Sequence, residues 1–220
     1  MNRVHYSDDQ PVSAVVHVAV AICSIDGSQR HIGILHRDTE ADQVLLLDLA
    51  WHHRLRNEPL GGSWLWVEPA VNARRLVQVA AICRRVWRSN RLGIPYALSH
   101  PTECFDENTG AFLLGPTRLG LTCASFVLAM FDAAGLPLAQ YDTWPTNRDG
   151  DAEWQLRIVE KLAETAASAK HVHAVSIEIG SVRFRPEEVA GAATTSPLPA
   201  GFDVAADRAA QILALLSKVA

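Results

Sequence analysis

The segment Gly120-Leu121-Thr122-Cys123-Ala124-Ser125-Phe126-Val127 sets a thiol at the start of an apolar helix. Backbone N–H groups and the positive end of the helix dipole stabilise a thiolate at such a place. The same N–H groups can hold the oxyanion of an acyl intermediate. A cysteine nucleophile further requires an imidazole within hydrogen-bond reach and a third group that orients it. By position alone Cys123 also reads as a small buried residue, since cysteine is among the most buried types. The other cysteines offer less: Cys23 lies in an apolar strand, Cys83 on an apolar helix face, and Cys104 in a loop without a helix start.

Several histidines could supply the imidazole. His31 stands near the start of a predicted strand, Arg30-His31-Ile32-Gly33-Ile34-Leu35-His36. Alternation puts His31, Gly33 and Leu35 on one face and Ile32, Ile34 and His36 on the other. Asp48 lies in the next strand among leucines, where a lone carboxylate is costly unless paired. A histidine would pair it, and so would backbone N–H groups or an arginine. His171 and His173 compete with His31, because they begin a predicted strand after Cys123. His52 and His53 follow the Asp48 strand and could rim a pocket. A zinc site built from them with Asp48 or His31 has no supporting spacing, since no HExxH or CxxC pattern occurs. No metal and no cofactor is expected.

The elements that must position these groups follow from patterning. Val12 to Ile25 is rich in β-branched residues and ends at Asp26-Gly27, a strand and its turn. With the strands around His31 and at Val44 to Trp51, it predicts an antiparallel meander. A loop with Pro59, Gly61 and Gly62 leads to a short strand, Ser63 to Val67. Pro69 opens a long helix, Ala70 to Asn90, with apolar residues at helical spacing. Residues 93–120 are rich in Gly and Pro, and so long an irregular stretch inside a domain is usually functional. Helices are predicted at 124–134 (closed by Gly135 and Pro137), at 152–169, from Pro186, and from an N-capping Asp203 to Val219. His171 to Ile179 is read as a fourth strand, extended by Val182-Arg183-Phe184. The expected fold class is α+β, one domain over 1–220, with helices packed on an antiparallel sheet and a helical extension over about 186–220.

Two blocks carry a family resemblance. Gly93-Ile94-Pro95-Tyr96, then Leu121-Thr122-Cys123-Ala124-Ser125-Phe126-Val127, then Ala134-Gly135-Leu136-Pro137, resembles the NlpC-type branch of the papain-like cysteine hydrolases. That branch has a Pro-Tyr segment, an Asp-Cys-Ser-Gly-Phe-type helix start and a helix ending in Gly and an apolar-Pro pair. Here Thr122 replaces Asp, and Ala124-Ser125 replaces Ser-Gly. The histidine strand comes first in this chain, as in the circularly permuted branch that includes lecithin:retinol acyltransferase-like proteins and bacterial relatives. His31-Ile32-Gly33-Ile34-Leu35 resembles the family's His-Val-Gly-Ile-Tyr strand, and Leu46-Leu47-Asp48-Leu49-Ala50 the strand of its third polar residue. The resemblance implies a permuted papain-like fold, with Cys123 as nucleophile, His31 as base and Asp48 as its orienting partner. It also implies Tyr96 beside the thiol, and Thr122 next to the substrate. A carboxylate in the third place is chemically sensible, because it accepts the imidazole N–H and holds the tautomer.

Composition sets the outer limits. The chain has 220 residues, 49% hydrophobic and 20% charged, which is the balance of a folded globular protein. A net charge of −4 argues against a nucleic-acid partner. No apolar run is long enough for a membrane span, and the polar, acidic first residues do not read as a signal peptide, so a cytoplasmic protein with reduced thiols is expected. The leading expectation is a thiol hydrolase acting on an amide or peptide bond. A lipid-ester hydrolase or acyltransferase is a second reading, because the permuted branch includes lipid acyltransferases. An inert papain-like module that binds a protein partner is a third. Small molecules, peptides and lipid esters are all open as substrates, and the sequence leaves the oligomeric state open.

Overall fold

The computed structural model describes residues 4–27, 29–100, 102–114, 119–165 and 167–218. Within the Gly- and Pro-rich stretch, 101 and 115–118 therefore lie outside the described residues. Among those described, strands run at Val4–Tyr6 (β1), Val18–Ser24 (β2), Arg30–Asp38 (β3), Gln43–Trp51 (β4), Arg54–Glu58 (β5) and Leu65–Val67 (β6). They form one antiparallel sheet in the order β1-β6-β2-β3-β4-β5. The helices are Ala73–Ser89 (α1), Cys123–Ala133 (α2), Asp151–Glu164 (α3), Ala169–Ser176 (α4), Pro186–Ala193 (α5) and Phe202–Leu216 (α6). The protein is thus α+β, as its patterning predicts.

Alternation divides the sheet into two apolar faces. Val20, Ile22, Ile32, Ile34, Leu47 and Leu49 point to one side and join the main core with α1, α2 and α5. Ala19, Ala21, Leu35, Leu46 and Trp66 point to the other, where Val15 and Trp64 cover them. Strands buried on both faces read as near-continuous apolar runs. That is why β2 to β4 are legible in the sequence. α2 is apolar almost all round, and Cys123 to Phe131 are all buried, as befits a central helix. α6 packs on α5, and α4 on α3.

Four expectations need correction. The predicted strand at His171 to Ile179 is instead α4. Ser168 caps it by accepting a hydrogen bond from the His171 N–H at 3.2 Å. Half-buried Val172 and buried Val175 stand three residues apart, which suits a helix as well as weak alternation suits a strand. The region after Trp51 is not loop only, because β5 pairs with β4 there. The first predicted strand starts later, at Val18, after a single 3-10 turn at Val12–Ala14. Asp203 lies in the first turn of α6 and Gly201 takes the cap position. No helix among the described residues is long and apolar enough to cross a membrane.

Candidate active site

Four strands and one helix start converge on a single cluster. Thr122 caps α2 and accepts a hydrogen bond from the Ser125 N–H at 3.0 Å, while Ser125 Oγ accepts from the Thr122 N–H at 2.8 Å. This reciprocal box fixes the entry of the helix and leaves Cys123 as its first residue. Thr122 lines the cavity, but its hydroxyl is committed to the cap.

His31 stands between Cys123 and Asp48. Its Nε2 lies 2.5 Å from Asp48 Oδ2, and the Cys123 thiol is close enough to act on the ring. Because Nε2 is engaged by the carboxylate, Nδ1 is the nitrogen left for sulfur. Burial alone would depress the imidazole, yet Asp48 and Cys123 together raise it to about 9. The imidazolium is the counter-ion that a reactive thiolate requires.

Asp48 is fully buried, so it must be paired on every side. Arg56 does this from β5, directly opposite Asp48 in the strand register. Its Nη2 donates to Oδ2 at 2.6 Å and its Nε to Oδ1 at 3.1 Å. The carboxylate therefore carries both a guanidinium and an imidazole. Gly33 makes the approach possible: a Cβ there would fall 2.7 Å from Asp48 Cβ and 2.8 Å from Leu46 Cδ1. Cys23 sits across from His31 on β2, and burial pushes its thiol up to about 12, so it stays protonated beside the site.

Tyr96 reaches the same thiol from the loop 93–99. Its phenol stands close enough to Cys123 for the two groups to act on each other. Burial lifts the phenol well above its usual range, so it remains an O–H donor. Several bonds hold this loop. Leu121 N–H donates to Pro95 O at 3.0 Å and Ala97 N–H to Leu121 O at 3.3 Å, which ties Tyr96 to the run into α2. Gly120 allows the two chains this close, since a Cβ there would fall 2.3 Å from Pro95 O. Tyr96 itself is clamped by two histidines: its N–H donates to His52 Nδ1 at 3.1 Å, and its carbonyl oxygen lies 2.9 Å from His171 Nε2. Glu178 accepts from the next N–H groups, of Leu98 at 2.8 Å and Ser99 at 3.3 Å. His171 is thus a brace for Tyr96 rather than a partner of Cys123.

The cluster opens on a cavity of about 120 Å³, whose walls include Trp51, Tyr96, Trp154 and Phe184. The start of α2 borders it through Thr122, Cys123 and Ala124. The structure brings together Cys123, His31, Asp48 and Tyr96, all named by the sequence, and sets His173 outside the cluster on α4. Arg56, His52 as a clamp, and the cavity residues Lys161 and Arg183 were not anticipated. Asp48 offered one signal for Arg56, because a carboxylate among leucines demands a cation, and the alternating Arg54-Leu55-Arg56 run beside it supplies one. Among the described residues, no group of three or more His, Cys, Asp or Glu is placed to hold a metal ion. Compared with models of protein families, with curated proteins and with solved structures, the chain matches none.

Proposed function

We propose that the protein is a thiol hydrolase that cleaves an amide or peptide bond through a covalent acyl-enzyme, on a circularly permuted papain-like scaffold of the NlpC type. The observation that carries this reading is His31, set beside Cys123 with its Nε2 2.5 Å from an oxygen of the buried Asp48 carboxylate. The thiolate of Cys123 attacks the carbonyl carbon, forming a C–S bond. Charge develops on the carbonyl oxygen, where the N–H groups at the start of α2 and the Tyr96 hydroxyl can receive it. As the tetrahedral species collapses, the C–N bond breaks and the His31 imidazolium gives its proton to the leaving amine. Neutral His31 then takes a proton from water as that water attacks the thioester. The C–S bond breaks, the acid leaves, and the thiolate-imidazolium pair returns. Asp48 holds the tautomer and stabilises the cation, and Arg56 holds Asp48.

A polar substrate fits the cavity better than a lipid chain, because Arg30, Lys161, Arg183 and Glu187 all line it. The test is the rate of iodoacetamide alkylation of each cysteine from pH 5 to 9, read by peptide mass spectrometry. Cys123 is expected to react fast near pH 6, and His31→Ala to return it to an ordinary thiol profile that rises only above about pH 8. Slow, His31-independent alkylation of Cys123 would remove the catalytic reading and favour a binding module.

A further inference from the structure

The protein carries more acidic than basic residues, 24 against 20. The cavity beside Cys123 reverses that balance: apart from His31, its charged lining comprises Arg30, Lys161 and Arg183 against Glu187. Two of these cations are mounted on its aromatic walls. Lys161 Nζ stands 5.5 Å from the centre of the Trp51 ring, and the Arg183 guanidinium 3.9 Å from that of Trp154. Trp51 in turn packs on Tyr96, ring centres 4.7 Å apart. Both cations thus line the same cavity as the thiol, and the Arg183 charge is felt at the Tyr96 hydroxyl.

Neither cation is fully used by the protein. Lys161 takes part in none of the ion pairs formed among the described residues. Arg183 gives Nη1 to Asp151 at 3.0 Å, but its Nε is buried without a hydrogen-bond partner. A buried donor left unpaired is costly, so the hydrogen-bonding capacity of this guanidinium is not used up by the protein. Asp151 does not neutralise Arg183 alone, because it also receives Arg148 and Arg185. Glu187 acts on both Arg183 and Arg185, so its charge is likewise shared.

We propose that Lys161 and Arg183 form an anion subsite beside Cys123, and that the substrate bears a carboxylate close to its scissile carbonyl. The Trp154 mount keeps Arg183 partly desolvated, which strengthens its pull on an anion. This inference rests on the thiol hydrolase reading for its geometry.

Alkylation with two reagents of nearly equal size separates the two ideas. Iodoacetamide is neutral and iodoacetate carries a carboxylate one bond from the carbon that sulfur attacks. For Cys123, the iodoacetate-to-iodoacetamide rate ratio, normalised to a free cysteine peptide, is expected to exceed about tenfold. It should fall at least fivefold in Lys161→Glu and, independently, in Arg183→Gln, and should also fall in 0.5 M salt through screening. A ratio that neither variant moves would overturn the subsite, since the His31 imidazolium alone would then account for any preference. The iodoacetamide arm and its dependence on His31 test the hydrolase reading separately.

Discussion

The protein contains two groupings of a cysteine, a histidine and a carboxylate, and only one of them opens on a cavity beside a helix start. In the first, Cys123 and His31 stand side by side on a cavity, and His31 is hydrogen-bonded to Asp48 behind it. In the second, His100 and Asp132 approach at 3.5 Å near Cys104, but the Asp132 carboxylate accepts the Tyr141 hydroxyl at 2.6 Å. There the His100 ring is packed between Tyr141 and Phe184, and neither of its nitrogens makes a hydrogen bond. Burial and the Asp132 charge push the Tyr141 phenol strongly up, which keeps that proton in place. A cysteine, a histidine and a carboxylate do not make a catalytic site. A helix start under the sulfur, a guanidinium behind the carboxylate and an open cavity in front distinguish the first grouping from the second.

The contrast can be broken most directly at sulfur. Cys123→Ala is expected to reduce amide hydrolysis by about 10⁴-fold or more, whereas Cys104→Ala leaves the rate within twofold; turnover of a chromogenic amide panel checks both. Next come the histidines. Asp48→Asn is expected to cost about 10²- to 10⁴-fold in kcat by fixing the wrong tautomer, with KM little changed. His100→Phe should leave the rate alone and alter only the unfolding midpoint, and equal losses from both variants would erase the distinction. Arg56→Met strips a buried carboxylate of its guanidinium and is expected to destabilise the fold by about 2 kcal/mol, measured by urea unfolding.

The smallest effects are in pH. The His31 imidazole is raised to about 9, so its contribution to stability is complete below about 6.5 and is lost as pH rises through 9. His52 is shifted the opposite way, to about 4, by burial and by neighbouring His53 and His171. The fold therefore prefers it neutral, and stability is lost as pH falls from about 6.5 through 4. Urea midpoints from pH 4 to 9 should peak near 6.5. His31→Gln should flatten the alkaline limb and His52→Gln the acid limb.

What the sequence disclosed follows from how strongly each element is buried. β2, β3 and β4 are apolar on both faces, so their runs of Val, Ile and Leu leave no other reading. The helix at Cys123 is equally legible, because it is capped by Thr122 and closed before Gly135. β1 and β5 were hidden because Val4–Tyr6 is short and Arg54–Glu58 is an edge strand rich in charge. Missing β5 meant missing Arg56. His171 was weighed as a base because weak alternation in the nine-residue run His171 to Ile179 does not separate strand from helix. Its actual partner, the Tyr96 carbonyl, is 75 positions away, beyond the reach of any local pattern.

On the thiol hydrolase reading, the order of these parts along the chain also governs when reactivity arises. His31, Asp48 and Arg56 lie on three successive strands joined by short turns, and the sulfur follows 67 positions after Arg56. During synthesis the proton-handling half is made first, as a local hairpin unit that has nothing to activate. Cys123 arrives with α2, and Lys161, the His171 brace on Tyr96 and Arg183 arrive later still. On the proposed reading a nascent or truncated chain is chemically silent until these widely separated segments have docked.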